Sequence, residues 1–162
     1  MAEDLQIHKG TKEEQYQAII PQIKWLLEGE TDSIANMANV AAALKEQFGW
    51  LWVGFYMVKT DSGNIEELVL APFQGPVACT RIKKGRGVCG SSWAAAKTLI
   101  VPDVEKFPGH IACSSLSKSE IVVPVFRNEK VVAVLDVDSD AYDQFDETDQ
   151  LYLELITALL QL

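Results

Sequence analysis

Residues Glu120–Asp138 read EIVVPVFRNEKVVAVLDVD. Its two apolar runs, 120–126 and 131–138, are rich in β-branched residues, as strands are, and the polar residues between them are typical of a turn. The stretch therefore predicts a β-hairpin. Because side chains alternate along a strand, the predicted faces of the second run are Val132, Val134, Asp136 and Asp138 on one side and Val131, Ala133, Leu135 and Val137 on the other.

Three carboxyl groups are expected to meet at the open end of this hairpin. Asp136 and Asp138 share a face near the end of the second strand. Glu120 is the first residue of the first strand, and in a hairpin the start of the first strand lies beside the end of the second. Such a cluster could bind an ammonium group, a metal ion or a shared proton, and crowding would raise the pKa of one member. The alternative is a strand end that reaches solvent, where acidic residues are common.

Two helices are predicted ahead of the sheet. Thr11–Glu14 has the form of a capping box, and apolar residues recur behind it at helical spacing. Pro21 should kink that helix or divide it into two short ones. A second helix should begin near Thr31 or Asp32 and end at Gly49. Its predicted apolar stripe is Ile34, Met37, Ala41, Leu44 and Phe48.

The middle of the chain carries strand and turn patterns. Residues 50–58 and 65–70 are predicted to be strands of a second hairpin, with a turn over Asp61–Asn64. The small and turn-forming residues of 71–90 predict a loop, and 91–97 predict a short helix.

The remaining elements complete an α+β domain. A predicted strand at 98–101 precedes a long polar segment, 105–119, and loops of that length in compact domains are usually functional or disordered. Asp146 can cap a last helix. The predicted stripe of that helix is Leu151, Leu155, Ala158, Leu159 and Leu162. This order of elements predicts a largely antiparallel sheet covered by helices, in one domain over residues 1–162.

Composition and charge argue against several classes of protein. The chain has 162 residues, of which 48% are hydrophobic and 23% charged, as in an ordinary soluble domain. It has no apolar run of membrane-spanning length, and residues 1–10 resemble neither a signal peptide nor a transit peptide, so we expect a cytoplasmic protein. The net charge of -9 argues against a nucleic-acid partner.

The three cysteines are candidates for chemistry. An odd number without a secretory signal does not indicate a disulfide framework. Cys89 lies just ahead of the predicted short helix, whose N-terminus can lower the pKa of a thiol. Cys113 follows His110 in the long polar segment, and Cys79 lies shortly before Arg81. Each thiol could be reactive or simply buried, and the local sequence does not rank them.

No metal site is predicted. Zinc ligands usually come in closely spaced pairs of cysteine or histidine, and His110 with Cys113 is the only tight pair here. Gly85–Gly90 holds several glycines but does not follow a clear strand, so it is weak evidence for a phosphate loop.

The aromatic residues of the first predicted strand have two interpretations. Trp50, Trp52, Gly54 and Tyr56 are expected to share one face of it. They are either core residues, or else Trp52 and Tyr56 form the wall of a pocket for an apolar or cationic ligand.

Several blocks of sequence stand in a fixed order that is typical of one family. They are APFQGPVACTRI (71–82), GRGVCG (85–90), VPDV (101–104), FPGHIACSSLS (107–117), SEIVVP (119–124) and LDVDS (135–139). With them the chain closely resembles the free methionine-(R)-sulfoxide reductases, from about Ile34 to the C-terminal helix. The resemblance implies a GAF-like fold, with a central, mainly antiparallel sheet flanked by helices.

The resemblance further implies a thiol enzyme that reduces free methionine sulfoxide. Cys113 would be the nucleophile, Cys79 the thiol that closes a disulfide with it, and Cys89 an accessory thiol in recycling. Such a cycle needs no metal or organic cofactor. The resemblance also implies a homodimer, with thioredoxin as the expected reductant.

The same resemblance implies how substrate is held. Glu120, Asp136 and Asp138 would bind the ammonium group of the substrate and help to protonate its sulfoxide oxygen. Trp52 and Tyr56 would enclose its side chain.

Two other functions compete with this one. A non-catalytic GAF sensor would bind a small molecule and signal through an attached output domain, but it gives no reason for three thiols beside acids. A thiol redox switch would form a disulfide with peroxide and would not consume methionine sulfoxide.

Overall fold

The centre of the molecule is one antiparallel sheet. Within residues 4–111 and 114–160, which the computed structural model describes, its six strands are β1 (Trp52–Thr60), β2 (Glu66–Gln74), β3 (Arg81–Lys83), β4 (Leu99–Val101), β5 (Ser119–Arg127) and β6 (Lys130–Ser139). Their order across the sheet is β3-β2-β1-β6-β5-β4, and every neighbouring pair is antiparallel. The predicted sheet is therefore confirmed.

Helices cover both faces of this sheet. The same described residues hold four α-helices, α1 (Lys12–Leu27), α2 (Ser33–Phe48), α3 (Gly87–Ala95) and α4 (Glu147–Thr157), with a short 3-10 helix at Val104–Lys106. None of the helices in this part of the chain is long and apolar enough to cross a membrane. The α+β class predicted from the sequence is confirmed.

The predicted beginning of α1 is confirmed, and of the two predicted effects of Pro21, a kink or a division, the division does not occur. The hydroxyl of Thr11 accepts a hydrogen bond from the backbone N–H of Glu14, whose carboxylate accepts one from the N–H of Thr11. The helix then continues through Pro21 to Leu27. Ile19 and Ile23, on either side of Pro21, are fully buried, and this packing holds the helix together across the missing backbone donor.

Both predicted ends of α2 are confirmed. The side chain of Asp32 accepts a hydrogen bond from the N–H of Ala35 at 2.9 Å, and Gly49 ends the helix in the left-handed conformation that glycine tolerates. One member of the predicted stripe, Ile34, is exposed instead, whereas Met37 and Leu44 are buried.

Helix α4 begins after Asp146 as predicted, but it buries a different face. Leu151 and Leu155 are 55% and 50% exposed, whereas Leu153 is fully buried. The cause is Asp149, a buried acid whose carboxylate accepts a hydrogen bond from the hydroxyl of Tyr16 at 2.8 Å. Because a buried carboxylate must keep its partners, this contact with α1 fixes which side of α4 faces inward. Leu162, the last predicted stripe residue, lies outside the described residues.

The sequence was least informative between β2 and β4. Strand β3 is too short to show a periodic pattern and was not predicted, and β2 extends to Gln74, beyond the predicted 65–70. Helix α3 begins at Gly87 and not at Ser91, so Cys89 lies inside its first turn. Strand β1 begins at Trp52, because Trp50 precedes it and packs elsewhere.

The two faces of the sheet carry separate apolar clusters. One contains Ala133, Leu135 and Val137 under α1, α2 and α4, and the other contains Val134 and Tyr56 under α3. The predicted alternation along β6 is thus confirmed from position 133 onward. Val131, expected beside Ala133, packs against the second cluster, since the pairing register of β5 and β6 shifts where that hairpin closes.

Gly54 lies where the side chains of Trp52 in β1 and Phe73 in β2 crowd together. A Cβ there would lie 2.3 Å from the Cβ of Phe73 and 2.5 Å from the ring of Trp52. Gly54→Ala should therefore lower the free energy of unfolding by about 1–3 kcal/mol, the usual cost of overpacking. Urea denaturation measures this change.

Gly63→Ala, in the turn between β1 and β2, is the matched control. Its Cβ would meet only the side chain of Asp61, at 3.3 Å, and surface changes usually stay within about 0.5 kcal/mol. Equal losses in the two variants would contradict the packing described for Gly54.

Candidate active site

The strand register brings the three predicted carboxyl groups together. Glu120 of β5 is opposite Asp138 of β6, and Asp136 is opposite Val122 of β5 and Gly54 of β1. The convergence expected from the hairpin is therefore confirmed. Because Gly54 has no side chain, the ring of Trp52 packs over the strand position that neighbours Asp136.

A chamber lies above these acids on the α3 side of the sheet. Its apolar wall includes Trp52, Tyr56 and Val88, and its polar wall includes Cys89 and Ser117 in addition to the three acids. The described lining contains no lysine or arginine. The chamber is thus an apolar pocket whose polar end is negative and lacks a permanent positive charge.

The acids are buried with few partners. Glu120 and Asp136 are 6% and 7% exposed, and the Oδ1 atom of Asp136 has no hydrogen-bond partner. The hydroxyl of Ser117 donates to Oδ1 of Asp138. Burial without a positive partner favours the neutral form of a carboxyl group.

The protonation of the acids follows from this burial. Desolvation raises the pKa of Asp138 to about 6. Desolvation and then the charge of Asp138 raise the pKa of Asp136 well above its ordinary value. Desolvation and then the charges of Asp136 and Asp138 do the same to the pKa of Glu120. At neutral pH the trio can therefore hold both a proton and a negative charge.

Cys89 is a buried thiol beside these acids. It is 3% exposed, and its sulfur lies 3.9 Å from Oε1 of Glu120. The helix N-terminus was expected to lower its pKa, but burial, followed by the charges of Asp136 and Glu120, raises it. Desolvation and two nearby acids outweigh the helix dipole, so Cys89 carries a neutral thiol at neutral pH.

The aromatic wall holds a neighbouring segment of chain. The indole N–H of Trp52 donates to the carbonyl of Pro76, and the hydroxyl of Tyr56 donates to the carbonyl of Cys79, both at 3.0 Å. The rings of Trp52 and Tyr56 are stacked at 5.9 Å. Trp50, which was expected on this face, packs in the cluster on the other side of the sheet. The two wall aromatics thus position the half-buried Cys79 segment next to the chamber.

Cys113, predicted to be the nucleophile, lies outside the described residues. His110 and Ile111 before it and Ser114 after it line the chamber. Burial lowers the pKa of His110, so its imidazole is neutral at neutral pH. The described parts of the long polar segment therefore form one wall of the chamber.

Two features of the chamber were not predicted. Ser117, which donates to Asp138, was not distinguished by any local pattern from the neighbouring serines. Ligand atoms of Cys89, Glu120 and Asp136 all lie within 4.8 Å of one another, close enough to hold a metal ion. No linear motif could show this grouping, because its members come from α3, β5 and β6.

Known proteins share this architecture and sequence. The GAF domain family matches residues 31–162. GAF domain-containing protein A of Dictyostelium discoideum is 66% identical over 160 residues, which cover 99% of each chain. The free methionine-R-sulfoxide reductase of Saccharomyces cerevisiae is 39% identical over 155 residues, covering 92% of this chain and 85% of the relative.

A solved structure is similar throughout. It is the X-ray structure of free methionine-R-sulfoxide reductase from Neisseria meningitidis in complex with its substrate. It superposes with a TM-score of 0.93 at 54% sequence identity and covers 97% of this chain and 92% of its own. The sequence and the fold therefore point to the same relatives.

Asp136→Asn should make stability less dependent on pH. A carboxyl group with a raised pKa stabilises the folded state at low pH, and this contribution is lost as pH rises from the unfolded value of 3.8 through the raised folded value. Asparagine does not titrate. We expect the variant to be more stable than the wild type at pH 8 by about 1–3 kcal/mol, the cost of an unsatisfied buried group, and to lose this advantage toward pH 5. Urea denaturation at both pH values measures the difference.

Asp140→Asn is the matched control, because Asp140 lies just beyond β6 and is exposed. Its pH dependence should follow the wild type. Parallel curves for Asp136→Asn and the wild type would contradict the assignment of a raised pKa to Asp136.

Proposed function

Because this chain belongs to the free methionine-R-sulfoxide reductase family of GAF domains, we propose that it reduces free L-methionine (R)-S-oxide to L-methionine. The observation that carries the proposal is the buried acid trio in a chamber whose described lining has no lysine or arginine. A chamber of this kind selects a small ligand that brings its own positive charge.

Free methionine sulfoxide has the required chemistry. Its α-ammonium group supplies the positive charge that the acids lack, and its side chain fits against the aromatic wall of Trp52 and Tyr56. Methionine sulfoxide within a protein has an uncharged amide at the same nitrogen. Binding it would leave the acids unpaired in a low dielectric, so the free amino acid is the preferred substrate.

The acids have two roles in the proposed reaction. Asp138, whose pKa is about 6, is mostly ionised at neutral pH and binds the ammonium group. Glu120 and Asp136, whose pKa values burial raises well above their ordinary values, hold the proton that the sulfoxide oxygen receives. This division follows from the deeper burial of the latter pair.

The sulfur chemistry is proposed for Cys113. Its thiolate attacks the substrate sulfur while an acid of the trio protonates the oxygen, which gives methionine and a cysteine sulfenic acid. The thiol of Cys79 then displaces hydroxide, taken up as water, and a disulfide forms. Two arrangements support these roles. The residues on both sides of positions 112 and 113 line the chamber, and Tyr56 holds the backbone of Cys79 beside it.

An external dithiol completes the cycle. Exchange with reduced thioredoxin restores both thiols and oxidises the thioredoxin. Overall, one sulfoxide and one dithiol give methionine, one disulfide and water. We propose thioredoxin as reductant, a homodimer as the assembly, the cytoplasm as location and an accessory role for Cys89 in recycling, because the family resemblance implies or fits each of them.

An assay driven by dithiothreitol tests this function. Purified R sulfoxide should be consumed while the S sulfoxide is not, and Cys113→Ser should lower turnover about 10³-fold or more, because the nucleophile is lost. N-acetylation of the substrate, which removes its charge, should lower kcat/KM by about 30-fold or more. Product methionine is quantified by chromatography.

Consumption of methionine sulfoxide separates this function from a redox switch. A switch would form a disulfide with peroxide and leave both sulfoxides intact. Turnover of the R and S sulfoxides at equal rates, or full activity in Cys113→Ser, would overturn the proposed function.

A further inference from the structure

The Cys89 thiol and two acids form a cluster with the spacing of metal ligands. Its three ligand atoms lie within 4.8 Å of one another, with 3.9 Å between the sulfur of Cys89 and Oε1 of Glu120. In a tetrahedral zinc site, with bonds of about 2.0–2.3 Å, ligand atoms are about 3.3–3.8 Å apart. A contraction of about 1.5 Å or less would bring the cluster to that geometry.

One atom of the cluster lacks a partner. Oδ1 of Asp136 is buried and accepts no hydrogen bond, although Asp136 lines the chamber and is only 7% exposed. Buried polar atoms are nearly always paired, and a bound ion is one recognised explanation for an exception. A cation in contact with this oxygen and with Glu120 would supply the missing interaction.

No side chain of the described residues supplies that positive charge. The ion pairs of residues 4–111 and 114–160 involve other acids, and the described lining has no lysine or arginine. Magnesium and calcium prefer all-oxygen sites, whereas a cysteine together with carboxylates suits a softer ion. The cluster therefore favours zinc or cadmium.

We propose that Cys89, Glu120 and Asp136 bind one thiophilic divalent cation, Zn²⁺ or Cd²⁺, and that this ion excludes the substrate from the chamber. The fourth coordination position faces the chamber and is open to water. Exclusion follows because the ion occupies Glu120 and Asp136, the acids proposed to protonate the sulfoxide oxygen, and places a positive charge beside Asp138, where the ammonium group would bind. This part rests on the proposed function. The ion is an inhibitor and has no part in sulfoxide reduction.

The binding test uses a protein in which Cys89 is the only thiol. In the Cys79→Ser/Cys113→Ser variant, Cd²⁺ is added and the ultraviolet thiolate-to-cadmium charge-transfer band is followed. Burial raises the pKa of Cys89, so the band rises from a protonated thiol as the metal displaces its proton. We expect saturation at one Cd²⁺ per chain and no band when Cys89→Ser is added.

The carboxylates are tested in the same background. Asp136→Asn and Glu120→Gln should each weaken Cd²⁺ binding about 10-fold or more, since each removes a ligand. Asp140→Asn, an exposed acid beyond β6, should leave the affinity unchanged. Absence of the band, or equal affinity in all three acid variants, would overturn the site. Urea denaturation confirms that each variant is folded.

Competition tests exclusion without turnover. The same thiol variant lacks the proposed nucleophile, so added L-methionine (R)-sulfoxide is not consumed and should weaken the apparent Cd²⁺ affinity in proportion to its concentration. Unchanged affinity would overturn exclusion. If the protein binds cadmium but reduces neither sulfoxide, the metal site is supported and the proposed function is rejected. If the protein reduces the sulfoxide but shows no cadmium band, only the metal site is rejected.

Discussion

The chamber depends on a cluster of buried carboxyl groups that no lysine or arginine of the described lining neutralises. Two strands bring Glu120, Asp136 and Asp138 to one end of the sheet, and Cys89 closes over them from α3. Burial of this kind destabilises a fold unless protons or a ligand neutralise it. The opposite face of the sheet, packed by α1, α2 and α4 with apolar side chains, supplies the stability that this end lacks. The chamber is therefore complementary to a cation that arrives from outside.

The register of the strands and the absence of a side chain at Gly54 determine which groups line this chamber. Because Gly54 has no side chain, the ring of Trp52 packs over it, and Trp52 and Tyr56 donate hydrogen bonds to the carbonyls of Pro76 and Cys79. One pair of aromatic side chains thus lines the chamber and holds the backbone at Pro76 and Cys79. The same enclosure keeps water from the acids, which sustains their raised pKa values and provides a proton donor at neutral pH.

The sequence predicted the positions of the acidic site residues better than it predicted helix packing and protonation. The alternation of Asp136 and Asp138 along β6 placed them correctly, because a strand has a fixed period and the hairpin aligns its ends. The face of α4 was mispredicted, since its orientation depends on the long-range contact between Asp149 and Tyr16. The protonation of Cys89 was likewise inaccessible, because it is set by acids from other strands and not by its own helix.

The most direct measurement is calorimetric titration of Cys113→Ser with L-methionine (R)-sulfoxide, in buffers that differ in ionisation enthalpy. If the ammonium group enters the acid trio, it lowers the raised carboxyl pKa values and drives protons into solution. We predict a binding heat that varies with the buffer and corresponds to net proton release at neutral pH. A heat independent of the buffer, or net proton uptake, would contradict the placement of the substrate's charge against these acids.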